Sequence, residues 1–196
     1  MSTCLNTLVL SSKKNASGGT ANGHALELEY RIAGLTALYQ KYCRVPLSPY
    51  SFARELQVFI GRGGSLHYVL DQSTTGDTAS PLLGFATVVN SNSLLENIFP
   101  VERFIVDEDL SEDKRLAVSV ALVQSIITQA NAELHHRHDD IWINVTFPKG
   151  ANNLELVQPI YKALEMNGFT ANQAPGRIIW MNWLKRSNLS QTTKIA

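Results

Sequence analysis

The order in which period-two and helical apolar patterns succeed one another limits this chain more than any single motif. Two short β-patterned runs, Leu66 to Asp71 and Leu82 to Val89, are separated by the polar turn Gln72 to Ser80, so they read as a hairpin. A third extended run, Phe99 to Val106, follows. Ser111, Glu112 and Asp113 then open a helix to about Leu134, a capping residue followed by acids in the first turn. Its apolar stripe is Leu116, Val120, Val123, Ile127 and Ala130. Successive strands ahead of a long helix point to a mixed α/β chain instead of a strict alternation.

The flanks extend the pattern. Leu5 to Leu10 reads as a first strand, and Ser11 to His24 (SSKKNASGGTANGH) as a mobile loop. Helical periodicity starts near Ala25, with Leu26, Leu28, Ile32, Leu35, Leu38 and Tyr39 near one face. Pro46 and Pro49 interrupt it. Ser48 is placed to cap a second helix through about Ile60, which Gly61-Arg62-Gly63-Gly64 closes. Further on, Ile141 to Val145 is a short strand and Asn152 to Asn167 a helix, with Leu154, Val157, Ile160 and Leu164 inward. Pro159 implies a kink there or a start near Gln158. Gly168 ends the helix, and extended runs around Phe169 and from Arg177 to Leu184 close the domain. Residues 186–196 read as a disordered tail. At 196 residues and 44% apolar, the chain suits a single domain over 1–196.

Seventeen basic and seventeen acidic residues cancel, which argues against nucleic acid or an anionic membrane as partner. No apolar run approaches the ~20 residues that span a bilayer. Cys4 and Cys43 are too few for a disulfide framework and read as free thiols, so a cytoplasmic protein is expected. The cluster Glu133 to Asp140 (ELHHRHDD) lacks zinc-ligand spacing and suits a solvated helix end; no metal is expected. Trp142, Trp180 and Trp183 fall on strands, with Trp180 and Trp183 on opposite faces.

The element order is similar to that of the GNAT superfamily of acyl-CoA N-acyltransferases. Leu83-Gly84-Phe85-Ala86-Thr87-Val88-Val89 resembles the family's central strand. Phe104-Ile105-Val106-Asp107-Glu108-Asp109-Leu110 resembles the end of the next strand, and Ala163 to Phe169 the close of the last helix. The resemblance covers roughly Leu66 to Leu184. It implies a GNAT-like α/β (α+β) fold: a mixed, mostly antiparallel central sheet flanked by helices. The family's pyrophosphate loop, Q/R-x-x-G-x-G/A, finds its best register on Lys114-Arg115-Leu116-Ala117-Val118-Ser119. Ala117 and Ser119 stand where the glycines would be, and Glu112 and Asp113 precede them with charge that opposes a phosphate.

By that resemblance, acetyl-CoA or another acyl-CoA is the co-substrate and an amine the acceptor, and a homodimer is admitted. The amides around Ile105 and Val106, on the strand that carries Phe104, would bind the acyl carbonyl. Glu102 would be the general base, or else an exposed charge paired with Arg103. The family's tyrosine acid falls on Leu164; Tyr161, one turn earlier, would serve instead or be plain packing. Asn152 and Asn153 would face the CoA arm or simply cap their helix. Tyr39, Tyr42, Tyr50 and Phe52 would shape the acceptor side. The implied function is N-acyl transfer, most simply N-acetyl transfer. The alternative is a GNAT-like module that has lost catalysis and binds a protein or acyl-CoA.

Overall fold

The computed structural model describes residues 5–11, 21–43, 46–72, 80–89, 98–133, 141–148, 154–173 and 178–185. In chain order the elements are β1 (Leu5–Ser11), α1 (Ala21–Cys43), α2 (Pro49–Gly61), β2 (Ser65–Asp71), β3 (Leu82–Val88) and β4 (Ile98–Val106). There follow α3 (Glu112–Glu133), β5 (Ile141–Pro148), α4 (Leu154–Met166), β6 (Thr170–Gln173) and β7 (Ile178–Lys185). The strands form one seven-stranded sheet in the order β1-β2-β3-β4-β5-β7-β6. Every neighbouring pair is antiparallel except β4 and β5, which run parallel. The expected mixed, mostly antiparallel sheet flanked by helices is what forms.

Local chemistry explains the helix ends. Pro49 occupies the first turn of α2, where its missing N–H costs nothing, and Phe52 N–H donates to the Ser48 carbonyl at 3.0 Å. Ser48 is the N-cap residue by position, but its hydroxyl makes no capping bond. Gly63, at φ 94°, lets the chain leave α2, with Gly63 and Gly64 N–H donating to the Ile60 and Phe59 carbonyls. Gly168, at φ 84°, does the same for α4. Ser111 caps α3: its Oγ accepts from Lys114 N–H at 3.4 Å, and Arg115 N–H donates to its carbonyl at 2.8 Å.

Two cores lie on opposite faces of the sheet. Alternation along β2 sends Leu66, Tyr68 and Leu70 to the α1/α2 side, where Leu35, Phe52 and Leu56 are fully buried. Val69 goes to the α3/α4 side with Val101, Phe104, Val118, Leu122 and Leu164. Each such fully buried side chain contributes roughly 1.5–3 kcal/mol.

The boundaries differ from expectation in three places. Helix α1 starts at Ala21, so residues 21–24 are helical and not loop; weak local propensity yields to the helix downstream. Helix α4 starts at Leu154 and continues through Pro159, which rules out the later start near Gln158. On α3 the expected Val123 and Ala130 are buried together with Val118, Leu122 and Ile126, whereas Leu116, Val120 and Ile127 are only partly buried. The helix packs on the sheet and on α4 together, which widens its apolar arc beyond one stripe. The expectations for residues 12–20, the interior of the 72–80 turn, 134–140, Asn152, Asn153 and 186–196 lie outside the described residues, as do the side chains of Trp180 and Trp183. Among the described residues no helix is long and apolar enough to cross a membrane.

Candidate functional site

Strand β4 begins paired with β5 and then parts from it. The pairing covers Ile98 to Val101 against Trp142 to Val145 and stops, while β4 continues to Val106 and β5 to Pro148. A bulge sits at the parting point. Thr87 pairs with Arg103 and Val88 with Val101, which leaves Glu102 as the extra residue of β4. Val101 and Phe104 are three apart yet share the α3/α4 core, an arrangement that a period-two strand permits only with such an insertion.

The parting strand turns specific backbone groups toward the opening. Asp107 N–H donates to the Leu83 carbonyl at 2.9 Å, so it faces β3. Successive strand amides alternate edges, so Ile105 also faces β3, while Phe104 and Val106 direct their N–H groups toward the gap left by β5. Of the amides expected to bind an acyl carbonyl, Val106, with Phe104 two residues before it, thus points to the gap, and Ile105 points to β3. The Phe104 and Ile105 side chains are buried in opposite cores. Gly84 lets β3 approach this part of β4: a Cβ there would lie 2.8 Å from the Ile105 carbonyl oxygen and 3.0 Å from Val118.

A narrow cleft of only about 20 Å³ opens at this end of β4. Leu38, Ile105, Val106 and Ile160 give it apolar walls, and Lys41, Tyr42, Asp107 and Glu108 form its rim. Tyr42 is partly exposed, and burial raises its pKa above the ordinary tyrosine value. Glu102 is exposed, and among the described residues it makes no ion pair. Its neighbour Arg103 pairs instead with Glu55 and lies over the Tyr39 and Phe52 rings, at 5.2 and 5.9 Å from their centroids. Those two rings stack at 4.9 Å, while Tyr50 is largely exposed. Tyr161 is half-buried against the α3/α4 core, where burial raises its pKa; the α4 residue lining the cleft is its neighbour Ile160. Leu164 is fully buried. Trp142, on β5, is exposed.

The rim is acidic and already occupied. Lys41 Nζ lies 2.8 Å from Asp107, 2.6 Å from Asp109 and 3.9 Å from Glu108. Burial alone would lower the Lys41 pKa, but hydrogen bonds from Asp107 and Asp109 outweigh it and raise the pKa above the ordinary lysine value. Asp107 Oδ1 also accepts the Asp109 N–H at 3.2 Å.

The hexapeptide aligned with the pyrophosphate loop, Lys114 to Ser119, lies in the first turns of α3, so its amides from Arg115 onward serve the helix, not a ligand. Lys114 Nζ holds Asp71 at 2.6 Å, and Val118 and Ser119 are fully buried. Ser119 Oγ donates to the Arg115 carbonyl at 2.8 Å; Leu116 and Ala117 are partly buried. The Ser111 cap explains this: a helix that starts at Glu112 leaves only residues 107–111 as the connection from β4. The turn beside the cleft gathers Asp107, Glu108, Asp109, Glu112 and Asp113, a charge that opposes an anion there.

Sequence reasoning missed Lys41 as a rim residue. Its signal was positional: Lys41 and Tyr42 stand three and four residues beyond Leu38 and so continue the apolar face of α1. Among the described residues no group of three His, Cys, Asp or Glu could hold a metal ion.

No family model matches this chain, and no curated protein matches it. Solved structures do. A probable acetyltransferase is 18% identical, with a TM-score of 0.56 over 86% of this chain and 91% of its own. A GNAT superfamily phosphinothricin acetyltransferase from Sinorhizobium meliloti, in complex with AcCoA, is 13% identical, with a TM-score of 0.54 over 96% of this chain and 94% of its own. Arabidopsis thaliana NAA60, in complex with a bisubstrate analogue, is 12% identical, with a TM-score of 0.53 over 93% and 99%. At such identities the likeness speaks for architecture, and with the parted β4 and β5 strands it establishes that this chain has the GNAT fold.

Proposed function

We propose that the chain is an N-acyltransferase that moves an acyl group, most simply acetyl, from the thioester of coenzyme A directly to an amine. One observation carries this reading: β4 leaves β5 after Val101 and turns the Phe104 and Val106 amides toward the gap between the two strands, where an apolar cleft opens. Donors fixed in a strand need no reorganisation when a thioester carbonyl becomes a tetrahedral oxyanion. Glu102 takes a proton from the incoming ammonium, the amine nitrogen bonds to the carbonyl carbon, and the carbon–sulfur bond breaks.

The departing thiolate takes a proton from a tyrosine, which regains one as the attacking nitrogen sheds its second proton to become an amide. Tyr42 lines the cleft, and Tyr161 follows the cleft residue Ile160. Loss of rate in Tyr42→Phe but not in Tyr161→Phe, or the reverse, assigns the donor. The acceptor approaches from the side of Tyr39, Tyr50 and Phe52.

Thermal melting tests the donor. A ligand bound only by the native state at a hundredfold its Kd adds about 2.7 kcal/mol. Stabilisation by acetyl-CoA or a longer acyl-CoA above that given by free CoA is expected. No stabilisation by any acyl thioester, acyl-CoA or acyl-pantetheine, even at millimolar concentration, overturns the reading. A second reading, a non-catalytic binding module, then stands; the observation that favours it is the acidic rim with its internal cation Lys41.

A further inference from the structure

The two ends of a CoA thioester differ sharply in charge. The acyl and pantetheine parts are neutral, whereas the nucleotide part begins with a pyrophosphate. The cleft makes the same division with the opposite preference. Its inner walls are Leu38, Ile105, Val106 and Ile160, and whatever leaves it past Val106 meets Asp107 and Glu108 at the rim. Asp109, Glu112 and Asp113 lie just beyond, all three exposed.

Three features would normally welcome an anion here, and each is already taken. The Asp109 N–H donates to the Asp107 carboxylate at 3.2 Å, the bond a phosphate oxygen would accept. The Lys41 ammonium is held by Asp107 and Asp109 at 2.8 and 2.6 Å, and Lys114 by Asp71 at 2.6 Å. The positive end of α3 is screened by the Glu112 and Asp113 side chains on its own first turn. The chain thus supplies its own anions where a ligand's would go.

We propose that the cleft recognises its donor through the acyl and pantetheine parts alone and repels the pyrophosphate, so that its preferred donor class is an acyl-pantetheine thioester without the nucleotide. This inference rests on the acyltransferase reading above and narrows it. It also gives the rim a purpose: a strand-built site retains the thioester while the turn selects against a diphosphate.

The test is calorimetric titration of the full chain with acetyl-CoA and with synthetic acetyl-pantetheine, each at low and at high salt. Acetyl-pantetheine is expected to bind as tightly as acetyl-CoA or tighter. Acetyl-CoA should bind better as salt rises, because screening weakens a repulsion, whereas acetyl-pantetheine should be indifferent. Combined Glu112→Gln and Asp113→Asn substitutions should strengthen acetyl-CoA binding severalfold and leave acetyl-pantetheine unchanged. Acetyl-CoA binding about tenfold tighter than acetyl-pantetheine and weakening with salt would overturn the inference, because affinity lost to salt marks a cationic phosphate site. That outcome leaves the acyltransferase reading intact. If neither thioester binds, the acyltransferase reading itself falls, and this inference with it.

Discussion

The two ends of the cleft are made of opposite materials. Its inner end is backbone and packed apolar side chains: β4 is held against β3 by the ladder that includes Asp107 N–H to Leu83 and is kept close by Gly84. Its outer end is one turn, residues 107–111, where Lys41 from α1 meets Asp107, Glu108 and Asp109, with Glu112 and Asp113 just after it. The difference separates what the fold dictates from what it leaves open. Moving the Phe104 and Val106 amides would require re-registering β4, which would throw Phe104 and Ile105 into the wrong cores. Changing the rim would require only side chains on an exposed turn. The GNAT architecture can therefore keep its parted β4 strand at identities of 12–18% while side chains on the turn beside it change.

The sharpest way to break the comparison is at Glu102. If the inner end is a reacting centre, Glu102→Gln should lower kcat/KM by about 10²-fold or more, the usual contribution of a positioned base. Thioester binding and stability should hardly move, because Glu102 is exposed and, among the described residues, carries no ion pair. Unchanged kinetics would exclude Glu102 as the base.

Next in size is the strand floor. Gly84→Ala would bring a Cβ to 2.8 Å from the Ile105 carbonyl oxygen, a backbone atom that cannot swing aside. A loss of about 1–3 kcal/mol in denaturant unfolding is expected. Gly61→Ala is the control, since a Cβ there meets nothing within 4 Å. Similar midpoints for the two variants would mean that β4 yields more easily than its packing implies.

How much of this was legible in the sequence follows the same division. Period-two runs, the Ser111 cap and the Gly168 stop placed most elements, because each depends on residues within a few positions of one another. A degenerate pattern of small residues such as Lys114 to Ser119 suits a helix packed on a sheet as well as a phosphate loop: Ser119 is buried against the core. The parting of β4 from β5 and the Glu102 bulge depend on cross-strand register and leave no local mark. The Lys41–Asp107 contact joins positions 66 residues apart, and nothing but the place of Lys41 on an apolar helix face hinted at it.

The rigid sheet extends to β2, where a titration reads it out. His67 is fully buried, with Nδ1 2.8 Å from Ser125 Oγ and Nε2 3.1 Å from Ser65 Oγ. Desolvation lowers its pKa from 6.5 to about 3, against a smaller raising effect of its hydrogen bond with Gln129. Above pH 6.5 it is neutral in both states and stability is unaffected. Below that, the unfolded chain binds a proton that the native state refuses until about pH 3. Stability should fall across that window by about 1.4 kcal/mol per pH unit, or roughly 2 kcal/mol by pH 5. Unfolding of the wild type and His67→Gln at pH 7.5 and pH 5 checks it. Parallel losses in both would assign the acid sensitivity elsewhere.

The smallest effect belongs to the rim. Lys41→Met removes the one cation that Asp107, Glu108 and Asp109 share while keeping a long apolar stem against the cleft. Two opposing facts bound the cost. Asp107 loses its closest partner, which destabilises, but Asp109 is 80% exposed and water takes over much of what the ammonium supplied. A loss of about 1 kcal/mol or less is expected, and it should grow at low salt, where three unscreened carboxylates repel one another. The same variant bears on ligand choice: with its internal cation gone, the turn repels a phosphate more strongly, so acetyl-CoA affinity should fall. If it rises instead, Lys41 blocks the cleft in the wild type, and the rim acts as a plug and not as a filter.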